Sequence, residues 1–280
     1  MYRIVEKRRL NDEVTLMRVE APYAARRALP GQFVMLRVDE NGERIPLTIA
    51  GYDREAGTVT VIFQKVGAST RLLDQLEEGE FLHDFAGPLG KPSETEGYKK
   101  AAVIGGGLGV AIAYPQAKAL HDAGVSVDLI VGFRNEGLII LKDELVAACD
   151  DLTIMTDDGS NGRKGFVTQA LKEKLESGST YDVIIAIGPL MMMKAVSEMT
   201  RPYGIKTIVS MNSIMIDGTG MCGGCRVTVG GETKFACVDG PDFDGHQVDF
   251  DSAATRGRMY LDEEKLAKET HLCHLTGDVR

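Results

Sequence analysis

The stretch AAVIGGGLGVAIAYPQAKALHDAG, residues 101–124, is where the fold is decided. Ala101–Ile104 is a short apolar run, Gly105, Gly106, Gly107 and Gly109 form a loop, and the residues that follow place apolar side chains at helical spacing. Strand, glycine loop and helix in that order bring backbone N–H groups and the positive end of a helix dipole to one point, which suits a diphosphate. The spacing departs from the usual dinucleotide fingerprint, because Val110 stands where a third glycine is expected. Taken alone, the loop also fits a tight turn with no ligand.

Working outward, the same rhythm repeats. SVDLIVGF, DLTIMTDDG, YDVIIAIGP and IKTIVS read as further strands, with helical runs such as VTQALKEKLESG and MMMKAVSEM between them. Apolar strands alternating with helices predict a parallel sheet covered on both faces, here over residues 96–210. Ligands of such sheets bind outside the carboxyl ends of the strands. That rule makes Asp157, Asp158 and Gly159 of one loop, and Gly188, Pro189 and Met192 of another, candidate nucleotide contacts. Methionines in LMMMKAV also suit a helix core. Asp128 lies about 20 residues past the glycine loop but in mid-strand, whereas Arg134 lies nearer the strand end and could face a 2′-phosphate or an adenine ring. The balance favours NADH.

Upstream, residues 1–95 hold VTLMRV, GQFVMLRV, PLTIAGYD and GTVTVIFQKV, short β-branched runs punctuated by turns. A small antiparallel barrel lets so many short strands avoid open edges. Within it, Arg44 before a hydroxyl-bearing strand, and Gly67, Ser69 and Thr70 at a helix start, suit phosphate and flavin contacts. The same residues also fit a surface charge and a helix cap.

Downstream, residues 211–280 contain MNSIMIDGTGMCGGC and the hairpin CRVTVGGETKFAC, with Gly230-Gly231 at its turn. Plant-type [2Fe–2S] sites use C-x4-C-x2-C and a more distant cysteine. Here Asp217, Cys222, Cys225 and Cys237 have that spacing, with aspartate in the first place. The fourth ligand is Asp217, Cys273 from the tail helix, or solvent. Zinc is the rival, although structural zinc usually adds a second paired Cys or His motif. Cys149 and Cys273 read as packed or incidental thiols.

With five cysteines, an odd number, three of them in one loop and hairpin, the chain is no disulfide framework. A net charge of -9 argues against a nucleic-acid surface. No apolar run reaches the roughly 18 residues of a membrane span, and the charged start MYRIVEKRRLNDE is unlike a signal peptide, so a cytoplasmic protein is expected.

PGQFV, RIPLTIA, GPLG, GGGLG, DDGS and IGPLMMMKA appear in the order found in the ferredoxin-NADP reductase superfamily, which the chain resembles over roughly residues 1–210. The resemblance implies an α/β plus β-barrel architecture: an antiparallel FAD-binding barrel, a parallel-sheet nucleotide-binding domain and, beyond them, a C-terminal [2Fe–2S] subdomain. It places Arg44, Pro46, Leu47, Thr48, Gln64, Gly67, Ser69 and Thr70 at FAD. The family's arginine-to-hydroxyl motif carries one extra residue between Arg44 and Thr48. Hydride passes between nicotinamide and flavin without a protein acid or base, so no catalytic residue is assigned.

With the cluster loop and CVDGPDF, the chain resembles dihydroorotate dehydrogenase electron-transfer subunits, which typically have cysteine in all four ligand places. The Asp217 variant is closer to small subunits of NADH-dependent ferredoxin-NADP oxidoreductase, or sulfide dehydrogenase. That likeness implies a heterodimer with a larger FAD and [4Fe–4S] flavoprotein subunit. The larger subunit would bifurcate electrons, handling ferredoxin and NADP(H), while this chain connects its cluster, FAD and NAD(H). Service to an NAD-dependent dihydroorotate dehydrogenase, or a redox-sensing role, are the alternatives.

Overall fold

The computed structural model describes residues 1–276, the side chains of 268 and 270–276 excepted. Seven strands, β1 (Tyr2–Arg9), β2 (Val14–Glu20), β3 (Phe33–Arg37), β4 (Arg44–Asp53), β5 (Thr58–Gln64), β6 (Phe81–Leu82) and β7 (Asp84–Leu89), come first, with helices α1 (Pro22–Arg27) and α2 (Ala68–Gln75) among them. They form one antiparallel sheet in the order β6-β1-β2-β5-β4-β3-β7. Only His83 separates β6 from β7, the two ends of that order, so the sheet curls into a nearly closed barrel. Ile4, Val34, Leu36, Ile49, Val61 and Phe63 fill it.

Strand β4 changes partner midway. Arg44–Thr48 pairs with β3 and Ile49–Asp53 with β5. Pro46, which lacks an N–H, therefore sits where the ladder is one-sided and costs no cross-strand bond on its second flank.

The second sheet runs β10-β9-β8-β11-β12-β15, built from β8 (Lys100–Gly106), β9 (Ser126–Phe133), β10 (Asp151–Thr156), β11 (Val183–Ile187) and β12 (Lys206–Ser210), all parallel, plus β15 (Asp242–Asp244). Side-chain alternation divides its faces. Val103, Leu129 and Ile185 meet α3 (Gly109–Asp122) and the barrel residues Leu16 and Ile62. Ile104, Ile130 and Ile184 meet α5 (Val167–Glu176), α6 (Leu190–Thr200) and the C-terminal residues Cys225, Val227 and Phe250. A short α4 (Lys142–Val146) precedes β10.

In the C-terminal part, β13 (Arg226–Val229) and β14 (Glu232–Phe235) form the expected hairpin, turning on Gly230 and Gly231 at φ +59° and +81°. Strand β15 then adds antiparallel to β12, which sequence reasoning had missed because a three-residue polar run carries no periodicity. Helices α7 (Phe250–Arg256) and α8 (Leu261–Thr276) follow. Where the three parts meet, Asp242 Oδ2 accepts from Ser93 Oγ at 2.5 Å and from Gln116 Nε2 at 3.4 Å. Burial among neutral partners pushes its carboxyl above the ordinary carboxylate range. No helix among the described residues is long and apolar enough to cross a membrane.

Candidate functional site

Strand order reverses between β8 and β11, and the loops leaving both strands frame a cavity of about 770 Å³. It gathers Gln64, Gly106, Gly107, Gly109, Arg134, Asp157, Gly188, Pro189 and Met192 from five separate stretches of the chain into one wall system. The glycines there have different jobs. Gly107, at φ +57°, has open space where a side chain would stand, so it can present backbone to a ligand. A methyl on Gly109 would instead run into the Ile187 carbonyl, and one on Gly106 would stand 2.6 Å from Met192 Sδ. These two let the β8 and β11 loops close on each other.

Gly105, Asp158 and Gly159 lie outside the cavity lining. A methyl on Gly105 would stand 3.0 Å from Val110, so this glycine packs β8 against α3. Asp158 Oδ1 accepts from Ser160 N at 2.9 Å and Ser160 Oγ at 2.7 Å, which shapes the loop and holds the carboxyl below its usual value. Gly159, at φ +81°, completes that turn. Asp128 is far from free: Tyr181 Oη donates to it at 2.6 Å and Lys174 Nζ lies at 3.0 Å. Burial opposes its ionisation, but the Tyr181 and Lys174 hydrogen bonds and the nearby Lys100 charge outweigh it and lower its pKa. Of the three consecutive methionines, Met193 is core, Met192 packs against it and Met191 is exposed.

Asn11, Glu13, Phe166, Ser210 and Asn212 also line the cavity and were not anticipated. The polar turn LNDE offered the only sequence signal, and it reads as an ordinary hairpin end. Asn11 Nδ2 reaches Leu138 O at 3.3 Å, tying the barrel to the nucleotide domain.

On the barrel, Arg44, Pro46, Leu47 and Thr48 occupy the one-sided half of β4. Arg44 is exposed, and Thr48 is paired with Phe33. Ser69 Oγ approaches Glu43 Oε2 at 3.5 Å, which brings the start of α2 beside the start of β4. Gly67 has open space around it, whereas Thr70 Oγ1 accepts from Val66 N and Gly67 N at 3.1 and 3.0 Å and so fixes the loop. An unpaired strand flank beside a helix N-terminus and an arginine is a chemically suitable cradle for a flavin and its phosphates.

In the cluster loop the ligand candidates fall into two pairs. Asp217 Oδ2 accepts from Cys222 N at 2.7 Å and Oδ1 from Thr219 N at 2.8 Å. The Thr219 N–H, helped by those of Cys222 and Met221, holds the Asp217 carboxyl below its ordinary value. The Cys225 and Cys237 sulfurs stand 3.2 Å apart and are buried, while Cys222 is exposed. Burial, with Cys225 beside it, pushes the Cys237 thiol up to about 12. Among the described residues no three His, Cys, Asp or Glu side chains converge as they would around a single ion. Two ligands from each pair suit a binuclear cluster, in which each iron takes two protein ligands. N–H groups already point at sulfur: Gly224 N lies 3.4 Å from Cys222 Sγ, and Cys237 N 3.4 Å from Cys225 Sγ. The Cys273 side chain falls outside the described residues.

Residues 212–249 match the iron-sulfur cluster binding domain of dihydroorotate dehydrogenase B, and residues 103–198 match the oxidoreductase NAD-binding domain. The chain is 51% identical over 276 residues to the uncharacterized protein of the adh 3′ region of Clostridium beijerinckii, covering 96% of this chain and 93% of that one. It is 44% identical over 269 residues to the dihydroorotate dehydrogenase B (NAD(+)) electron transfer subunit homolog of Thermotoga maritima, covering 96% and 95%. A solved chain of an NADH-dependent reduced ferredoxin-NADP oxidoreductase, studied for flavin-based electron bifurcation, superposes with a TM-score of 0.91 at 42% identity, over 97% and 98% of the two chains. With a barrel, an NAD-binding α/β domain and an iron–sulfur domain in this order, the chain belongs to the family of dihydroorotate dehydrogenase B-type electron-transfer subunits and is an oxidoreductase subunit.

Proposed function

We propose that this chain is the electron-transfer subunit of an electron-bifurcating NADH-dependent ferredoxin:NADP oxidoreductase. The observation that carries the reading is the match, over nearly the full length of both chains, to the solved oxidoreductase subunit. The cofactors are FAD, a [2Fe–2S] cluster and NAD(H). When bound, FAD exchanges hydride with nicotinamide and single electrons with the cluster.

The residues divide the work. Gly107 and the α3 N-terminus receive the dinucleotide phosphates, with Gly106, Gly109, Gly188 and Pro189 shaping the floor and Arg134 and Asp157 facing the adenosine end. Met192 packs under the loops, and Gln64 brings the barrel rim to the same cavity. Arg44 and the α2 start at Gly67, Ser69 and Thr70 hold the FAD pyrophosphate, and the open flank of Pro46, Leu47 and Thr48 takes the flavin ring. Asp217, Cys222, Cys225 and Cys237 would hold the [2Fe–2S] cluster.

As a family of electron-transfer subunits, these chains act in larger complexes. The partner in our reading is a larger FAD and [4Fe–4S] flavoprotein forming a heterodimer, through which ferredoxin and NADP(H) react. The native complex, given NADPH and ferredoxin, reduces ferredoxin only when NAD+ is also supplied. Ferredoxin reduction that ignores NAD+ overturns the bifurcating role. The match of residues 212–249 favours one other reading, service to an NAD-dependent dihydroorotate dehydrogenase. Dihydroorotate-dependent NAD+ reduction by the same complex would select it.

A further inference from the structure

A second cavity, of about 400 Å³, lies between the cluster loop and the α7–α8 turn. Ile214, Ile216 and Gly224 form its cluster side, and Arg226, Arg256 and Arg258 bring three guanidinium groups to it. The chain as a whole is acidic, with a net charge of -9, so three arginines at one small cavity reverse the local sign. None of the three joins an ion pair among the described residues. The two carboxylates at the start of α7 are already engaged: Asp251 with Lys194 Nζ at 2.7 Å, and Asp249 as the cap of α7, accepting from Ser252 N at 2.9 Å.

Arg256 differs from its two neighbours. It is half-buried, and its Nη2 donates to Gly224 O at 3.2 Å, bridging 32 residues of chain. Gly224 sits between Cys222 and Cys225, and its own N–H points at Cys222 Sγ. Gly224 therefore carries a guanidinium on its carbonyl and a ligand sulfur at its amide, in two consecutive peptide planes. Tethering that carbonyl fixes the Gly224–Cys225 peptide plane and so restrains the glycine that joins Cys222 to Cys225, and the cation adds positive charge beside the loop. Both effects stabilise a centre that becomes more negative on reduction, since net charge and hydrogen bonds to sulfur set cluster potential.

We propose that Arg256 is a positioning residue for the cluster, anchoring Gly224 between Cys222 and Cys225 and raising the cluster's reduction potential. The inference rests on the [2Fe–2S] reading of this loop. The test is a redox titration followed by EPR on the anaerobically purified native complex, wild type against R256Q, R256K and R226Q. Iron and acid-labile sulfide analysis comes first: a wild-type chain without a binuclear cluster removes the reading itself, independently of Arg256. With the cluster present, R256Q is expected to titrate at a more negative potential with an altered EPR line shape. R256K recovers much of the potential, and R226Q, which lacks the carbonyl bond, leaves the line shape alone. An R256Q signal superimposable on wild type, at full occupancy and the same potential, overturns the proposal. Should R256Q lose its cluster, retention in R256K supports a cation on Gly224, and loss in both along with FAD and NADH binding overturns it in favour of a general folding role.

Discussion

Gly218 of the cluster loop packs directly on Met35 of the barrel: a methyl added to Gly218 would stand 2.7 Å from Met35 Cγ. Met35 in turn faces Pro46 across β3 and β4. One side chain thus separates the loop that holds Asp217 and Cys222 from the strand half assigned to the flavin. In the proposed function, this contact would keep the two redox centres close together. It accounts for a glycine at φ +74° here, where a side chain would be both strained and too large. G218A is expected to lose at least half its cluster, read as iron and acid-labile sulfide per chain, while keeping FAD. Full cluster content would show that the loop does not need this contact.

Asp217 has two possible roles, loop organiser and ligand, and its variants separate them. D217N keeps an oxygen for the Thr219 N–H but is a poor ligand to iron, whereas D217A removes both functions. A ligand role predicts a displaced cluster potential or lowered occupancy in both variants. EPR and potential unchanged in D217N and D217A would take Asp217 out of the ligand set.

Gly107 and Gly109 should respond differently to alanine. At Gly107 the space is open and only the positive φ opposes a side chain, at a cost of roughly 1 kcal/mol. G107A therefore folds, and raises KM for NADH several-fold with FAD content unchanged. In G109A the new methyl meets the Ile187 backbone, so thermal stability and NADH binding fall together. Equal behaviour of the two variants would contradict the division of labour within the loop.

Two buried carboxyls give pH dependences of opposite sign. Asp128 titrates below its ordinary value in the folded chain, so its contribution is present above the unfolded pKa near 4 and is lost as pH falls through the lower folded value. D128N should destabilise the protein by about 2 kcal/mol at pH 7, less as the pH falls below 4, without changing KM for NADH. Asp242 titrates above its ordinary value, so its folded-state advantage is complete below about pH 4 and declines as pH rises toward the folded value. D242N should melt higher than wild type at pH 7, with the difference closing toward pH 4. A pH-independent difference for D242N would mean that folding does not shift the Asp242 pKa.

Much of this architecture was legible because it depends on local pattern. β-branched runs between turns specified the barrel, glycine after Ile104 specified the strand-to-helix turn, and Gly230-Gly231 specified the hairpin. In the glycine-rich loop Asp217 meets the Cys222 backbone N–H, and Cys225 and Cys237 meet through their sulfurs. What depends on distant partners was not legible. Nothing in GGGLG distinguishes Gly107, open to a ligand, from Gly109, pressed against the Ile187 carbonyl, since that carbonyl lies almost 80 residues further along. Asp128 has the count of a ribose contact but a mid-strand place, and its partners Tyr181 and Lys174 were not legible in the sequence. Arg256 on Gly224 and Ser93 on Asp242 are also long-range pairs, invisible to periodicity.

The most direct test of the central claim is flavin identity and iron content of the complex purified anaerobically with its native partner. The account predicts FAD as the sole flavin and iron well beyond one binuclear cluster per heterodimer. FAD together with FMN, and iron sufficient for a single binuclear cluster, would contradict it and assign the chain to a dihydroorotate dehydrogenase.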